Sequence, residues 1–83
     1  MEERIIAVLG RNFTGGVVTL DHDQAGRKIG GVLVWDGFAG MNFLRRQNTL
    51  FRVLRRELGS EALVVSHIFT YTTNEYEQMM IAA

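Results

Sequence analysis

The strongest constraint on the fold is a strand, helix, strand unit in the middle of the chain. The apolar run IGGVLVW, residues 29–35, has the length and composition of a buried strand. Residues 42–58 then place apolar side chains at helical spacing, and the β-rich run ALVVSHIFTYT follows. Because such units usually join parallel strands of one sheet through a right-handed crossover, we expect an α/β protein with at least one parallel strand pair.

Shorter patterns define the remaining elements. Residues 2–12 have apolar side chains at helical spacing and acids in the first turn, which favours a helix. Only the polar segment DHDQAGRK separates the β-branched run VVTLD from the next strand, so we expect these two strands to be antiparallel neighbours. Thr72, followed by Glu75, has the pattern of a capping box at the start of a last helix. The predicted order is α-β-β-α-β-α, an α+β fold with a three-stranded mixed sheet and helices on one of its faces.

Length and composition exclude several classes of protein. At 83 residues the chain offers one modest core, so we expect residues 1–83 to form a single domain. It has no apolar run of the roughly 20 residues that a membrane span requires, and its first residues lack a signal-peptide pattern. We therefore expect a cytoplasmic protein that does not enter a membrane.

Cysteine content and charge restrict the chemistry further. The chain has no cysteine, so it has no disulfide, no thiol nucleophile and no thiolate ligand, and a soft metal would need sulfur from a partner. Its formal net charge is zero, which excludes a general attraction to nucleic acid and leaves only a local basic patch. We find no P-loop, no HExxH motif and no hydroxyl with evident histidine and acid partners, so we expect no enzymatic activity.

The helix over residues 42–58 has one apolar side and one basic side. The positions expected to be buried are Phe43, Leu44, Leu50, Phe51, Leu54 and Leu58. Arg45, Arg52 and Arg56 form a solvent-facing stripe, and Arg46 lies further round the helix. The stripe is either a solvated helix face or a surface for phosphate or an acidic partner. Gln47 falls near the middle of the apolar side, where its amide requires hydrogen-bond partners.

The segment GFAG, Gly37 to Gly40, lies between a strand and this helix. Its GxxG spacing and position are similar to the loop with which an RNA-binding KH domain holds a nucleic-acid backbone. Phe38 and Ala39 are apolar where such loops usually carry a basic side chain. The favoured interpretation is therefore a tight turn that anchors Phe38 in the core.

Two histidines are candidate metal ligands. His22 lies between Asp21 and Asp23 in the loop after the first strand, where three hard or borderline donors are available, although a polar loop is the commoner outcome. His67 lies in the third strand, where regular alternation places it on one face with Val65 and Phe69. A core or edge histidine and a ligand that converges with His22 across the sheet end both remain open.

The segment VLVWDGFAGMNFLRRQNTLFRVLRREL resembles the central region of BolA-like proteins. The family pattern is an apolar strand, then F-x-G, a leucine, an R-H-R triplet and a helix with spaced leucines. The matching positions here are Phe38, Gly40, Leu44, Arg46, Leu54 and Leu58. MEERIIAVLGRNF resembles the family's first helix, and Thr72, Glu75 and Tyr76 match its closing T-x-x-E-W segment.

The resemblance implies the BolA fold, itself similar to a class II KH domain. It also implies a partner, because BolA-like proteins bind monothiol glutaredoxins and share a bridging [2Fe-2S] cluster with them, in cluster trafficking or in iron and stress regulation. The glutaredoxin cysteine and glutathione would supply sulfur, and His22 and His67 would be the ligands from this chain. The residues in contact with a partner or with nucleic acid would be Gly37, Phe38, Gly40, Arg45, Arg46, Gln47, Arg52 and Arg56.

The sequence departs from the family pattern at its most characteristic positions. Gln47 and Asn48 replace the histidine and the second arginine of the triplet. Val64 stands where the family has its third-strand histidine, and His67 comes three residues later. Two other functions stay open: a nucleic-acid-binding regulator that uses GFAG and the arginines, as some family members are described, and a homo-oligomer formed through the edge of the third strand.

Overall fold

A computed structural model describes residues 1–23 and 25–82, and its elements follow the predicted order. The three helices are α1, Glu2–Asn12, α2, Phe43–Leu58, and α3, Thr73–Ala82. The three strands are β1, Val17–His22, β2, Ile29–Val34, and β3, Val65–Tyr71. Two short 3₁₀ helices, Asp36–Phe38 and Gly59–Val64, lie on either side of α2. Gln24 of the predicted polar loop and Ala83 lie outside the described residues.

The strands form one mixed sheet in the order β1-β2-β3. β1 and β2 are antiparallel, with Val17 opposite Val34 and His22 opposite Ile29, and β2 and β3 are parallel. Both predicted pairings are confirmed. The short loop between β1 and β2 permits only an antiparallel connection, and the long crossover through α2 permits a parallel one.

A bulge near the start of β3 changes which side chains share a face of the sheet. Ile29 is opposite Val65, but the next residue of β2, Gly30, is opposite His67, so Ser66 is an extra residue in β3. The expected alternation placed Val65 with His67, and that expectation is wrong. The bulge puts Val65 on the face that packs against the helices and His67 on the opposite face, which we call the open face.

The core lies between the sheet and helices α1 and α2. Its buried side chains are Ile5, Val8, Leu9, Phe13, Ile29, Leu33, Phe38, Leu50, Val53, Leu54, Leu58, Ala62, Val65 and Ile68. Phe13, Trp35 and Phe38 form an aromatic cluster at one end, with ring centroids 5.0 to 5.7 Å apart. The prediction of helices on one face describes α1 and α2, whereas α3 has no buried residue and extends the chain beyond β3.

The first turn of α2 lies outside the core. Phe43 and Leu44 were expected to be buried, but they are 68% and 65% exposed. The helix begins at the N-cap Asn42, whose side chain accepts a hydrogen bond from the Arg45 amide, and its first buried residue is Arg46. Phe43 and Leu44 therefore precede the part of α2 that packs on the sheet. Within residues 1–23 and 25–82, none of the helices has the length and hydropathy needed to cross a membrane.

Candidate functional site

His22 lines a cleft formed by the start of α1 and the loop between β1 and β2. The cleft has a volume of about 540 Å³ and is lined by Met1, Glu2, Glu3, His22, Gly26, Arg27, Ile29 and Val64. The His22 Nε2 atom lies 2.5 Å from a Glu2 carboxylate oxygen. Val64, at the position where the family pattern has a histidine, lines the same cleft and offers no donor atom. The cleft therefore contains one imidazole.

His67 lies on the open face of the sheet. Its imidazole covers Gly30, since a Cβ atom added to that glycine would lie 2.5 Å from His67 Cε1. The ring Nδ1 atom is 3.0 Å from the Ser66 hydroxyl, and the ring packs at 5.1 Å from the Phe69 centroid. The exposed imidazole thus lies over β2, in the space left by the missing side chain of Gly30.

The structure does not bring the two histidines together. His22 is opposite Ile29 in the strand pairing, on the face covered by the helices, whereas His67 is opposite Gly30 on the open face. In the part of the chain that the structure describes, no three histidine, cysteine, aspartate or glutamate side chains are grouped so that they could hold a metal ion. The donor set therefore does not fit a cluster ligated by both histidines.

Arg46 is an interior residue, so its placement on a contact surface needs correction. It is only 9% exposed. Its Nε atom donates to the Met41 carbonyl at 2.9 Å, and Nη1 donates to the Thr70 carbonyl at 3.4 Å. Its Nη1 and Nη2 atoms also pair with the two Glu75 carboxylate oxygens, at 2.6 and 3.0 Å. A side chain with these partners holds elements together and is not available to a ligand.

Gln47 also has its partners inside the protein. Its Nε2 atom donates to the Ile68 carbonyl at 2.9 Å and lies 3.4 Å from the Thr70 hydroxyl. Together, Arg46 and Gln47 bind the carbonyl oxygens of Ile68 and Thr70 along the outer edge of β3. Because an added strand would need these oxygens, the edge is protected against pairing with another chain.

Glu75 takes part in the cap of α3 and also pairs with Arg46 of α2. Its backbone amide donates to the Thr72 hydroxyl at 3.2 Å, and its carboxylate accepts from the Thr72 amide at 2.8 Å, which confirms the predicted capping box. The hydrogen bonds from Arg46, followed by the one from Thr72, lower the pKa of the Glu75 carboxyl to about 2. The ion pair likewise raises the pKa of Arg46 above its ordinary value.

The GFAG segment is a tight turn, as favoured by the sequence. Phe38 is fully buried in the aromatic cluster and cannot serve as a contact residue. Gly37 packs so closely against the Trp35 ring that a side chain would clash with it. Gly40 has a φ of 82°, in the left-handed region that glycine adopts without strain.

The arginine stripe is exposed, as predicted. Arg45 and Arg52 line a groove beside the start of α2, with Met41, Asn42, Leu44, Asn48 and Thr49. Among the described residues, no acidic side chain lines this groove. Arg56 differs, because it donates to the Asn12 side chain at 2.7 Å and lies 3.5 Å from Glu57. We call Leu44, Arg45, Asn48 and Arg52 the α2 surface.

The exposure of Phe43 and Leu44 was missed from the sequence. Phe43 and Leu44 match the helical period of the buried side, so periodicity assigned them to the core. The capping asparagine at position 42 was the available signal, because it marks Phe43 and Leu44 as residues of the first turn.

The element order, the mixed sheet and the two 3₁₀ helices around α2 define a BolA-like fold. A solved structure described as BolA1 from Arabidopsis thaliana is similar to this chain, with a TM-score of 0.71 and 23% sequence identity. The similarity covers 88% of this chain and 92% of that chain. No protein-family model matches the sequence, and no curated protein sequence matches it.

Proposed function

We propose that this chain is a non-enzymatic BolA-like adaptor that binds a monothiol glutaredoxin in the cytoplasm. The observation that supports the proposal is the BolA-like fold over 88% of the chain. The role would be iron–sulfur trafficking or iron and stress regulation. Of the predicted contact arginines, Arg45 and Arg52 are exposed and make no ion pair within residues 1–23 and 25–82, so both are available to an acidic partner surface.

The histidines limit what this chain contributes to a shared [2Fe-2S] cluster. They lie on opposite faces of the sheet, so one cluster can meet only one of them. Sulfur would have to come from the glutaredoxin cysteine and glutathione, because this chain has no cysteine. The proposal is therefore docking to the glutaredoxin, with at most one imidazole donated.

Docking is tested by isothermal titration calorimetry with a purified apo monothiol glutaredoxin. We expect one-to-one binding at protein concentrations of about 100 μM or below. Arg52→Ala should weaken it, whereas Arg27→Ala, which removes an equal charge at the β1–β2 loop, should not. The absence of any binding heat, together with a lack of co-elution, would overturn the proposed function.

The imidazole contribution is tested separately with a cluster-bridged, glutathione-ligated glutaredoxin dimer. Visible circular dichroism is followed during anaerobic titration with wild type, His22→Ala and His67→Ala. A new spectrum that only one of the two variants abolishes would identify the single ligand. If both variants give the wild-type spectrum, neither histidine binds the cluster, and the docking result stands on its own.

A second candidate is a nucleic-acid-binding regulator. The observation in its favour is the groove at the start of α2, which combines Arg45 and Arg52 with the Asn42 and Asn48 amides and lacks an acid. Binding of an oligonucleotide should fall steeply with salt and should weaken in Arg52→Ala for every sequence tested. If oligonucleotides fail to bind at low salt, this function is excluded.

A further inference from the structure

Helix α3 packs poorly against the rest of the protein. It has ten residues, none of them buried. Its contacts to the domain within the described residues lie at its start: the Thr73 amide donates to Asp36 at 2.8 Å, Glu75 pairs with Arg46, and the Tyr76 ring lies 5.7 Å from the Tyr71 ring. Helices this short are marginal in water without packing. Further contacts would stabilise the second half of α3.

The second half of α3 has an apolar and acidic face. Met80 and Ile81 are 57% and 79% exposed, and Met79 is also exposed. Glu77 lies three and four residues before Met80 and Ile81, so the three side chains share one side of the helix. The helix contains no lysine or arginine. A complementary surface would therefore be apolar and basic.

The α2 surface has that complementary character. Leu44 is its exposed apolar side chain, and Arg45 and Arg52 are its cations. Neither arginine makes an ion pair with any residue in 1–23 or 25–82. These cations beside the exposed Leu44 match Glu77, which also makes no ion pair in the described part of the chain and lies beside Met80 and Ile81.

The arrangement of the two surfaces suits a reciprocal contact. The Arg46–Glu75 pair places the start of α3 beside the start of α2 in the same molecule. A twofold axis near this point would let each copy offer α3 and receive the partner's α3, which doubles the contact. The net charge of zero does not oppose association. Pairing through β3 is disfavoured, because Arg46 and Gln47 occupy its edge carbonyls.

We propose that the α2 surface binds helix α3 of a second copy of this chain, with Arg52 facing Glu77 and Leu44 facing Met80 and Ile81. The contact joins two copies symmetrically, and because it uses Arg45 and Arg52 of the proposed glutaredoxin surface, a second copy and a glutaredoxin would compete for the α2 surface. It orders the second half of α3, in which no described residue is buried within one copy.

The experiment is sedimentation velocity over protein concentrations from about 10 μM to about 1 mM, the range in which a weak dimer is detected. Wild type should shift from monomer to dimer across this range. Arg52→Glu and Glu77→Arg should each weaken association by about tenfold or more, because each places like charges together. Arg27→Glu, which makes the same charge change in the β1–β2 loop, should associate like wild type.

Two combinations make the test specific. The double variant Arg52→Glu with Glu77→Arg should dimerise again, because the charges are exchanged. An equimolar mixture of the two single variants should also dimerise, since both reciprocal contacts then join opposite charges. A wild type that stays monomeric at about 1 mM, or a double variant no better than the single variants, overturns the proposal. All substituted residues are exposed, and far-ultraviolet circular dichroism verifies that each variant folds.

Discussion

Arg46 and Glu75 form a bidentate ion pair that joins the start of α2 to the start of α3. The Nη1–Oε1 and Nη2–Oε2 distances are 2.6 and 3.0 Å. The arginine is buried, and the same guanidinium reaches two backbone carbonyls, so the pair organises the region where β3 ends and α3 begins. Arg46, which matches an arginine of the BolA-like R-H-R triplet, thus has a structural role in this chain.

Arg46→Met should destabilise the protein by about 2 kcal/mol, because it removes charge-assisted hydrogen bonds and leaves carbonyl oxygens without a donor. Arg45→Met, next along the helix and exposed, should change the free energy of unfolding by less than about 0.5 kcal/mol. Urea unfolding followed by circular dichroism measures both values. Equal stabilities of the two variants would mean that the pair contributes nothing.

The low pKa of Glu75 predicts a specific dependence of stability on pH. The carboxyl pKa falls from an ordinary 4.5 to about 2 in the folded protein, so the folded state binds fewer protons than the unfolded state between these values. The stabilisation is fully present above pH 4.5 and is lost as the pH falls to about 2. Because the carboxylate is partly exposed, salt should reduce the effect.

The measurement compares wild type with Glu75→Gln by urea unfolding between pH 7 and pH 2. The difference in free energy of unfolding should be constant at neutral pH and should shrink as the pH falls below 4.5. Glu77→Gln, two residues along α3, is the matched control and should follow wild type. A difference that does not change with pH would contradict the assignment of the shift to Glu75.

The two glycines of β2 should respond differently to alanine. At Gly30 the new Cβ meets the His67 ring, an exposed side chain that can move, so Gly30→Ala should cost about 1 kcal/mol. At Gly31 it meets the Thr19 carbonyl oxygen and the Leu20 Cα atom, which are backbone and cannot move separately. Gly31→Ala should therefore cost about 3 kcal/mol or more.

Thermal unfolding of the two glycine variants gives the comparison. The His67 ring proton shifts in the NMR spectrum should move in Gly30→Ala, because the ring is displaced from its position over β2. If Gly30→Ala were the more damaging substitution, the proposed packing of the open face would be wrong.

Replacing Phe38 of the GFAG turn and replacing the nearby Phe43 should have very different effects on stability. Phe38→Ala removes a fully buried ring from the aromatic cluster and should cost about 3–5 kcal/mol. Phe43→Ala removes an exposed ring and should cost less than about 0.5 kcal/mol. Both values come from urea unfolding. A large loss in Phe43→Ala would show that the first turn of α2 is packed after all.

The sequence by itself determined the elements, their order and the strand directions. The signals for the helices are local: helical spacing, Asn42 before α2, Gly59 after it, and the Thr72–Glu75 capping box. The caps act through hydrogen bonds between residues that are close in sequence. Loop length determined the pairing of β1 with β2, and the helical crossover determined that of β2 with β3. These features need no knowledge of distant residues.

Only the tertiary structure decided which side chains are available for function. The helical period cannot tell where a helix leaves the core, so Phe43 and Leu44 were assigned to the core although they are exposed. The family resemblance placed Arg46 among the contact residues, and the structure buries it. The bulge at Ser66 sets the face of His67, and it depends on pairing with β2, which is remote in sequence. Packing between distant elements therefore separates His22 from His67 and leaves the α2 surface exposed.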